Sequence, residues 1–134
     1  MNCLYCSSKT KVTNSRKRAD GTQTWRRRTC TECQNIWTTH EYTDLSKSHT
    51  VQDAQKHLEP LSRDRVFVAI MNSLQHRKTA LEDATYLTDT ILSRIVALKT
   101  SQIRSADIRD ICQDVLKKFD PTAAAVYSAK HSLD

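Results

Sequence analysis

The chain has 134 residues, 38% of them hydrophobic and only 6% aromatic, with 21 Lys/Arg against 15 Asp/Glu and a formal net charge of +6. That length allows one ordinary domain, or a small module joined to a compact one. No apolar run approaches the roughly 20 residues of a membrane span, and the basic balance points to an acidic partner. The excess is uneven: residues 1–44 carry eight basic against four acidic side chains, the remainder 13 against 11.

Four of the five cysteines fall in two pairs, Cys3-Leu-Tyr-Cys6 and Cys30-Thr-Glu-Cys33. One pair supplies half of a tetrahedral site, and a hairpin between the pairs brings the other half to it. The first 40 or so residues cannot bury much of a core, so a metal staple makes physical sense there. Four thiolates close the shell of a zinc ion; a catalytic zinc keeps a position open. Disulfides are the alternative in a small secreted chain. No signal peptide precedes Cys3, so a reducing, cytoplasmic compartment and one structural zinc are expected. Zinc with four thiolates carries about −2, so the module's basic groups matter by placement rather than by total.

Between the pairs, Lys9–Asn14 predicts a strand. Asp20-Gly21 supplies a hairpin turn with positive φ, and Gly21 is the chain's single glycine. Thr22–Thr29 returns as a second strand, and Ile36–Tyr42, rich in β-formers, reads as a third. This is the layout of a zinc ribbon. Alternation puts Trp25 and Arg27 on one face, and Thr24, Arg26 and Arg28 on the other. Arginine suits a bidentate contact with guanine or a phosphate clamp. Lys11, Arg16, Lys17 and Arg18 add charge on the neighbouring strand and loop. The bland alternative is a solvated face whose arginines stack on Trp25 and Trp37.

Residues 43–61 show little periodicity and read as a linker, with one short strand near Val51. From Ser62 the period changes to that of helices: Val66, Phe67, Ile70, Met71 and Leu74 make one apolar face. Thr79-Ala-Leu-Glu82 has the form of a capping box, opening a helix to about Leu98 with the stripe Leu81, Ala84, Leu87, Ile91, Ile95 and Leu98. Ser101–Arg104 reads as a short extended segment. Ser105 is the expected cap of a third helix with Ile108, Ile111, Cys112, Val115, Leu116 and Phe119 inward. Cys112 lies on that stripe and reads as a packing thiol. Asp120-Pro121 starts a fourth helix, with proline at its first position.

Over nearly its whole length the chain resembles the NrdR family, bacterial repressors of ribonucleotide reductase genes that join a zinc ribbon to an ATP-cone domain. The stretches that carry the resemblance are Cys3-Leu-Tyr-Cys6, Val12-Thr-Asn-Ser15-Arg16, Arg26-Arg-Arg-Thr-Cys30-Thr-Glu-Cys33, Trp37-Thr-Thr-His-Glu41 and Glu59-Pro-Leu-Ser-Arg-Asp-Arg65. The arginine run before the third cysteine, with Thr-Thr-x-Glu after the fourth, is more specific than the cysteines alone. The family has glycine after the second cysteine of each pair; here stand Ser7 and Gln34. It opens the cone with a basic, glycine-bearing hairpin; here Val51–Lys56 keeps the valine but not the basic pair or the glycine.

The expected architecture is therefore α+β. A zinc ribbon at 1–44 binds DNA, 45–61 forms a linker or remnant cone hairpin, and 62–134 forms a helical ATP-cone-like domain. The resemblance implies a homo-oligomeric, non-enzymatic repressor of reductase promoters. Cys3, Cys6, Cys30 and Cys33 would hold zinc, with Lys11, Arg16, Lys17, Arg18, Trp25, Arg26, Arg27 and Arg28 on double-stranded DNA. It also implies ATP or dATP as effector, for which Lys56, Arg63 and Arg65 are the candidate contacts; the altered hairpin predicts weak binding. The rival reading is an interaction or scaffold protein whose ribbon docks on RNA polymerase or another protein.

Overall fold

The computed structural model describes residues 1–131; residues 132–134, placed by the sequence reading at the end of the helical domain, lie outside the described residues. The chain forms two compact units, Met1–Thr43 and Asp44–Asp134.

The first unit is a sheet of β1 (Thr10–Lys17), β2 (Gln23–Cys30) and β3 (Ile36–Tyr42), antiparallel and in chain order. The β1–β2 turn is closed by Asp20, whose carboxylate accepts from the Thr22 backbone N–H at 2.9 Å and hydroxyl at 2.6 Å. Gly21 takes φ 74° there, a conformation open to glycine at no steric cost. Pairing aligns Arg16, Trp25 and His40 in one cross-strand row and Asn14, Arg27 and Thr38 in the next, on the same face. The other face carries the rows Ser15–Arg26–Thr39 and Val12–Arg28–Trp37. A bulge between Val12 and Asn14 re-phases β1. The buried side chains of this unit are Cys3 and Cys30. Its described residues form no apolar core to hold the sheet, so whatever binds those thiols must do so.

The second unit begins with a 3-10 turn, Leu45–Lys47, and contains β4 (Thr50–Gln52), β5 (Leu58–Pro60) and β6 (Gln102–Arg104). β4 lies centrally, antiparallel to β5 and parallel to β6. Four helices follow the pattern of apolar residues: α1 (Arg63–Ser73), α2 (Ala80–Val96), α3 (Ser105–Phe119) and α4 (Pro121–Lys130). Ile70, Leu74, Ile91, Ile95 and Leu116 are fully buried among them. Val51 and Ile103, register partners in the sheet, pack onto this core, so the small sheet lids one end of the helices.

Two helices are capped by side chains, and at two expected caps the structure departs from the sequence. Ser62 accepts from the Arg65 N–H at 3.3 Å and starts α1. Asp120 accepts from Thr122 and Ala123 at 2.9 and 3.2 Å and starts α4, ahead of Pro121. Thr79 makes no side-chain cap; its hydroxyl donates to Asp83 at 2.6 Å, and Arg77 shares that carboxylate at 2.9 Å. The expected capping box with Glu82 thus gives way to a local ion-pair cluster. Ser105 is the first helical residue of α3 rather than its cap, a position held by Arg104. Leu81 and Leu98 are 62% and 45% exposed instead of buried: one stands in the first turn of α2 and the other past its C-cap, where the stripe runs out of packing partners.

Candidate functional site

The loop before β1, the end of β2 and the β2–β3 loop bring the four cysteines together. Their sulfurs all lie within 4.8 Å of one another. Cys3–Cys33 and Cys6–Cys30 approach to 3.6 and 3.5 Å, and none of the four is in a disulfide. Tetrahedral zinc with Zn–S near 2.3 Å separates its sulfurs by about 3.8 Å, so the cluster has the size of a four-thiolate site. Backbone N–H groups of Tyr5, Glu32 and Cys33 donate to Cys3 or Cys30 at 3.3–3.4 Å, and the Asn35 amide donates to Cys33 at 3.2 Å. Such donors spread thiolate charge and fix the ligand rotamers. Hydrogen bonds from Ser8 hold the Cys6 thiol down to about 6, and the Asn35 backbone lowers Cys33. Burial pushes Cys30 up to about 11, so its thiolate calls for a cation beside it. Donor set, spacing and charge fit one zinc ion, held by Cys3, Cys6, Cys30 and Cys33 as a structural staple.

Ser7 and Gln34 occupy equivalent points, one residue past each pair, with φ 62° and 61°. The chain reverses there to return its second cysteine to the metal.

The sheet sorts the eight basic and aromatic candidates. Lys11, Arg16, Trp25 and Arg27 share one face. Arg27 is exposed, and its guanidinium has no hydrogen bond or ion pair among the described residues. Arg16 lies over the Trp25 ring at 5.9 Å. On the opposite face Arg26 pairs with Glu41 and Arg28 Nε donates to Thr39, each at 3.4 Å. Arg18 pairs with Asp20 at 2.9 Å in the turn, and Lys17 ends β1 on the Arg26 side. Sequence reasoning missed His40, which sits beside Trp25 in register and stacks on Tyr42 at 5.8 Å. Alternation within β3 puts His40 on a face with Thr38 and Tyr42; the register that sets it level with Trp25 comes from the strand pairing. Together Arg16, Lys17, Arg18, Gln23, Trp25 and His40 wall a recess of about 310 Å³.

The second unit holds a larger recess of about 490 Å³, between the sheet lid and α1, α3 and α4, with Val51, Glu59, Arg65, Ile108 and Tyr127 in its wall. Of the three nucleotide candidates only Arg65 lines it, and Arg65 is ion-paired to Glu59. Arg63 binds Asp89 at 2.5 Å. Lys56 sits in the β4–β5 turn at φ 67°, a left-handed backbone held without the ease that glycine would give it. His76 and Arg77 contact the Asp120 carboxylate at 2.9 and 3.1 Å. Cys112 is 2% exposed, and burial pushes its thiol up to about 11, which fits a packing role.

Four cysteines on a three-stranded antiparallel sheet, followed by a separate α+β unit, define a zinc-ribbon protein. The family model for the N-terminal domain of NrdR-like transcriptional repressors matches residues 1–41. A transcriptional repressor NrdR of Psychrobacter cryohalolentis is 30% identical over 139 aligned positions, covering 100% of this chain and 91% of that protein. A second, from Psychrobacter sp. strain PRwf-1, is 31% identical over 95% of this chain and 86% of its own length. The chain belongs to the NrdR family of zinc-ribbon transcriptional repressors. These relatives are named as repressors rather than enzymes, and no helix among the described residues is long and apolar enough to cross a membrane.

Proposed function

We propose that the chain represses ribonucleotide reductase genes by binding their promoters through the ribbon. The observation that carries this reading is the division of labour between the two sheet faces. Arg26 and Arg28 are tethered within the sheet, whereas Lys11, Arg16 and Arg27 share the face of Trp25 with no ion pair among the described residues. Free cations on a rigid sheet can meet phosphates or guanine edges without first breaking a bond. Arg18 and Lys17, at the hairpin end, extend the charge along the backbone of the duplex.

The second unit pairs protomers, so that two ribbons read two half-sites. Its recess takes ATP or dATP weakly. Asp53 and Glu59 stand in the wall, Arg65 is already neutralised, Arg63 is engaged by Asp89, and Lys56 lies outside the recess. Oligomerisation then proceeds without regard to nucleotide.

A mobility-shift titration with a reductase promoter fragment against random duplex tests the reading. A specificity ratio of about a thousand or more is expected of a repressor. A ratio near one overturns it and favours a ribbon that docks on RNA polymerase or another protein.

A further inference from the structure

The recess at the hairpin end of the ribbon has a chemistry that duplex phosphates do not use. Trp25, half-buried in β2, presents its ring between Arg16 and His40 in the cross-strand row. His40 stands beside it on β3 and stacks on Tyr42 at 5.8 Å with only 20° between the planes. The two aromatic platforms therefore run along one face, flanked by Arg16 and Arg27, with Lys17 reaching the recess from the hairpin end. Gln23 adds an amide that can both donate and accept.

Aromatic rings interleaved with cations are the arrangement that stacks bases while holding their phosphates. In a duplex each base has both faces covered by its neighbours, so Trp25 has nothing to stack on. An unpaired base offers an open face. Arg16 already lies 5.9 Å above Trp25. A base between them needs about 7 Å, two stacking intervals of about 3.4 Å. Arg16 is long and exposed, so an outward swing of about 1 Å opens the slot. The recess of about 310 Å³ has room for a single base.

We propose that this recess takes one unpaired base of a DNA strand, sandwiched between Trp25 and Arg16 with His40 and Tyr42 as the next platform, so that the ribbon binds single-stranded as well as duplex DNA. The proposal rests on the reading of this face as a DNA surface. It adds a second binding mode in which stacking, rather than base-edge readout, supplies the contact. It also gives His40 a role that the arginine run alone would not.

The test uses the full zinc-loaded chain, a labelled strand of about 12 thymidines and a promoter duplex, in low salt of about 50 mM where phosphate contacts are strong. Anisotropy reads binding, and tryptophan emission reads stacking. The expected result is binding of the single strand with quenching that disappears in Trp25→Phe. Trp25→Ala and His40→Ala should each weaken single-strand affinity by about tenfold while zinc content is kept. Should Trp25→Ala lose zinc, Trp25→Phe and His40→Ala carry the comparison. If the duplex binds and the single strand does not, the inference falls and the repressor reading stands. Single-strand binding without any change of emission also overturns it, because cations alone would then account for the affinity. Failure of both ligands removes the inference together with the reading beneath it.

Discussion

Ser7 and Gln34 hold nearly the same backbone conformation, φ 62° and 61°, each one residue beyond the second cysteine of its pair. The left-handed region disfavours any residue with a Cβ. Two such residues therefore work against the two turns that close the metal site. Ser7→Gly should relieve about 0.5–1 kcal/mol of this cost and raise zinc affinity a few-fold. Gln34→Gly should gain less, because the Gln34 amide donates to the Thr31 carbonyl at 3.0 Å and that bond would go. Competition for zinc against a chelator of known affinity checks both; unchanged affinity in Ser7→Gly would show that the turn is not strained.

Metal removal should unfold the ribbon and spare the second unit, since only Cys3 and Cys30 are buried in the first whereas the second has its own core. Cys30→Ser should behave like chelation. Circular dichroism with metal analysis would show loss of the β signal, helix content retained, and about one zinc per chain in the parent. A parent protein free of zinc when purified without chelator would refute the assignment.

Arg27 and Arg26 are neighbours in sequence with opposite surroundings. Arg27→Ala should cost about 1–3 kcal/mol of DNA affinity if it reads a base, and relax specificity at one position. A phosphate role would instead weaken all sequences alike and reduce the salt slope by about one. Arg26→Ala should cost less, because that guanidinium already pairs with Glu41 at 3.4 Å. Equal losses at both positions would refute the assignment of faces.

The Asp120 carboxylate ties the α1–α2 connection to the start of α4. The hydrogen bond from His76, the N–H groups at the helix start and Arg77 hold its carboxyl down to about 2, against an ordinary 3.8. A depressed folded-state value adds stability that is fully present above about pH 4 and is lost as the pH falls through about 2. Asp120→Asn can still cap the helix, so its unfolding free energy should differ from the parent's above about pH 4 and converge on it near about pH 2. Asp120→Ala should lose about a further 1 kcal/mol for the missing cap. Denaturant titrations across this range measure both; a difference that does not shrink on acidification would contradict the assignment.

ATP and dATP should bind at about 0.1 mM or weaker, equivalent to roughly −5.5 kcal/mol. Calorimetry and size-exclusion with each nucleotide check this together. A micromolar affinity, or an oligomer that changes between the two, would show that Arg65 leaves Glu59 for a phosphate.

The cysteine spacing and the strands around it could be read from the chain because a metal site and a hairpin are local devices. Ile36–Tyr42 was legible from its β-formers, and Asp20-Gly21 from turn chemistry. The helices were legible from periodicity, down to Pro121 at the start of α4. The parallel pairing of Val51 with Ile103 was not, because two three-residue strands so far apart carry no mutual signal. Thr79 and Ser105 looked like side-chain caps by residue type, but the Thr79 hydroxyl turns to Asp83 and Arg104 holds the N-cap position of α3. The row that joins Trp25 to His40 depends on register across a connection that leaves β2 at Cys30 and holds Cys33. Alternation within each strand is visible in the sequence; the offset between strands is not.

That β4–β6 pairing has a kinetic consequence. Thr50 meets Gln102 only after α1, α2 and their connections have been traversed. Closing so long a loop is entropically costly for the three residue pairs it secures. The pairing gains enough to persist only when α1 and α2 have already shortened the distance. We expect the lid to register after the helices have docked, and to be the first part of that unit to open in native-state hydrogen exchange. The recess beneath it would then be exposed by a small local excursion, well short of global unfolding.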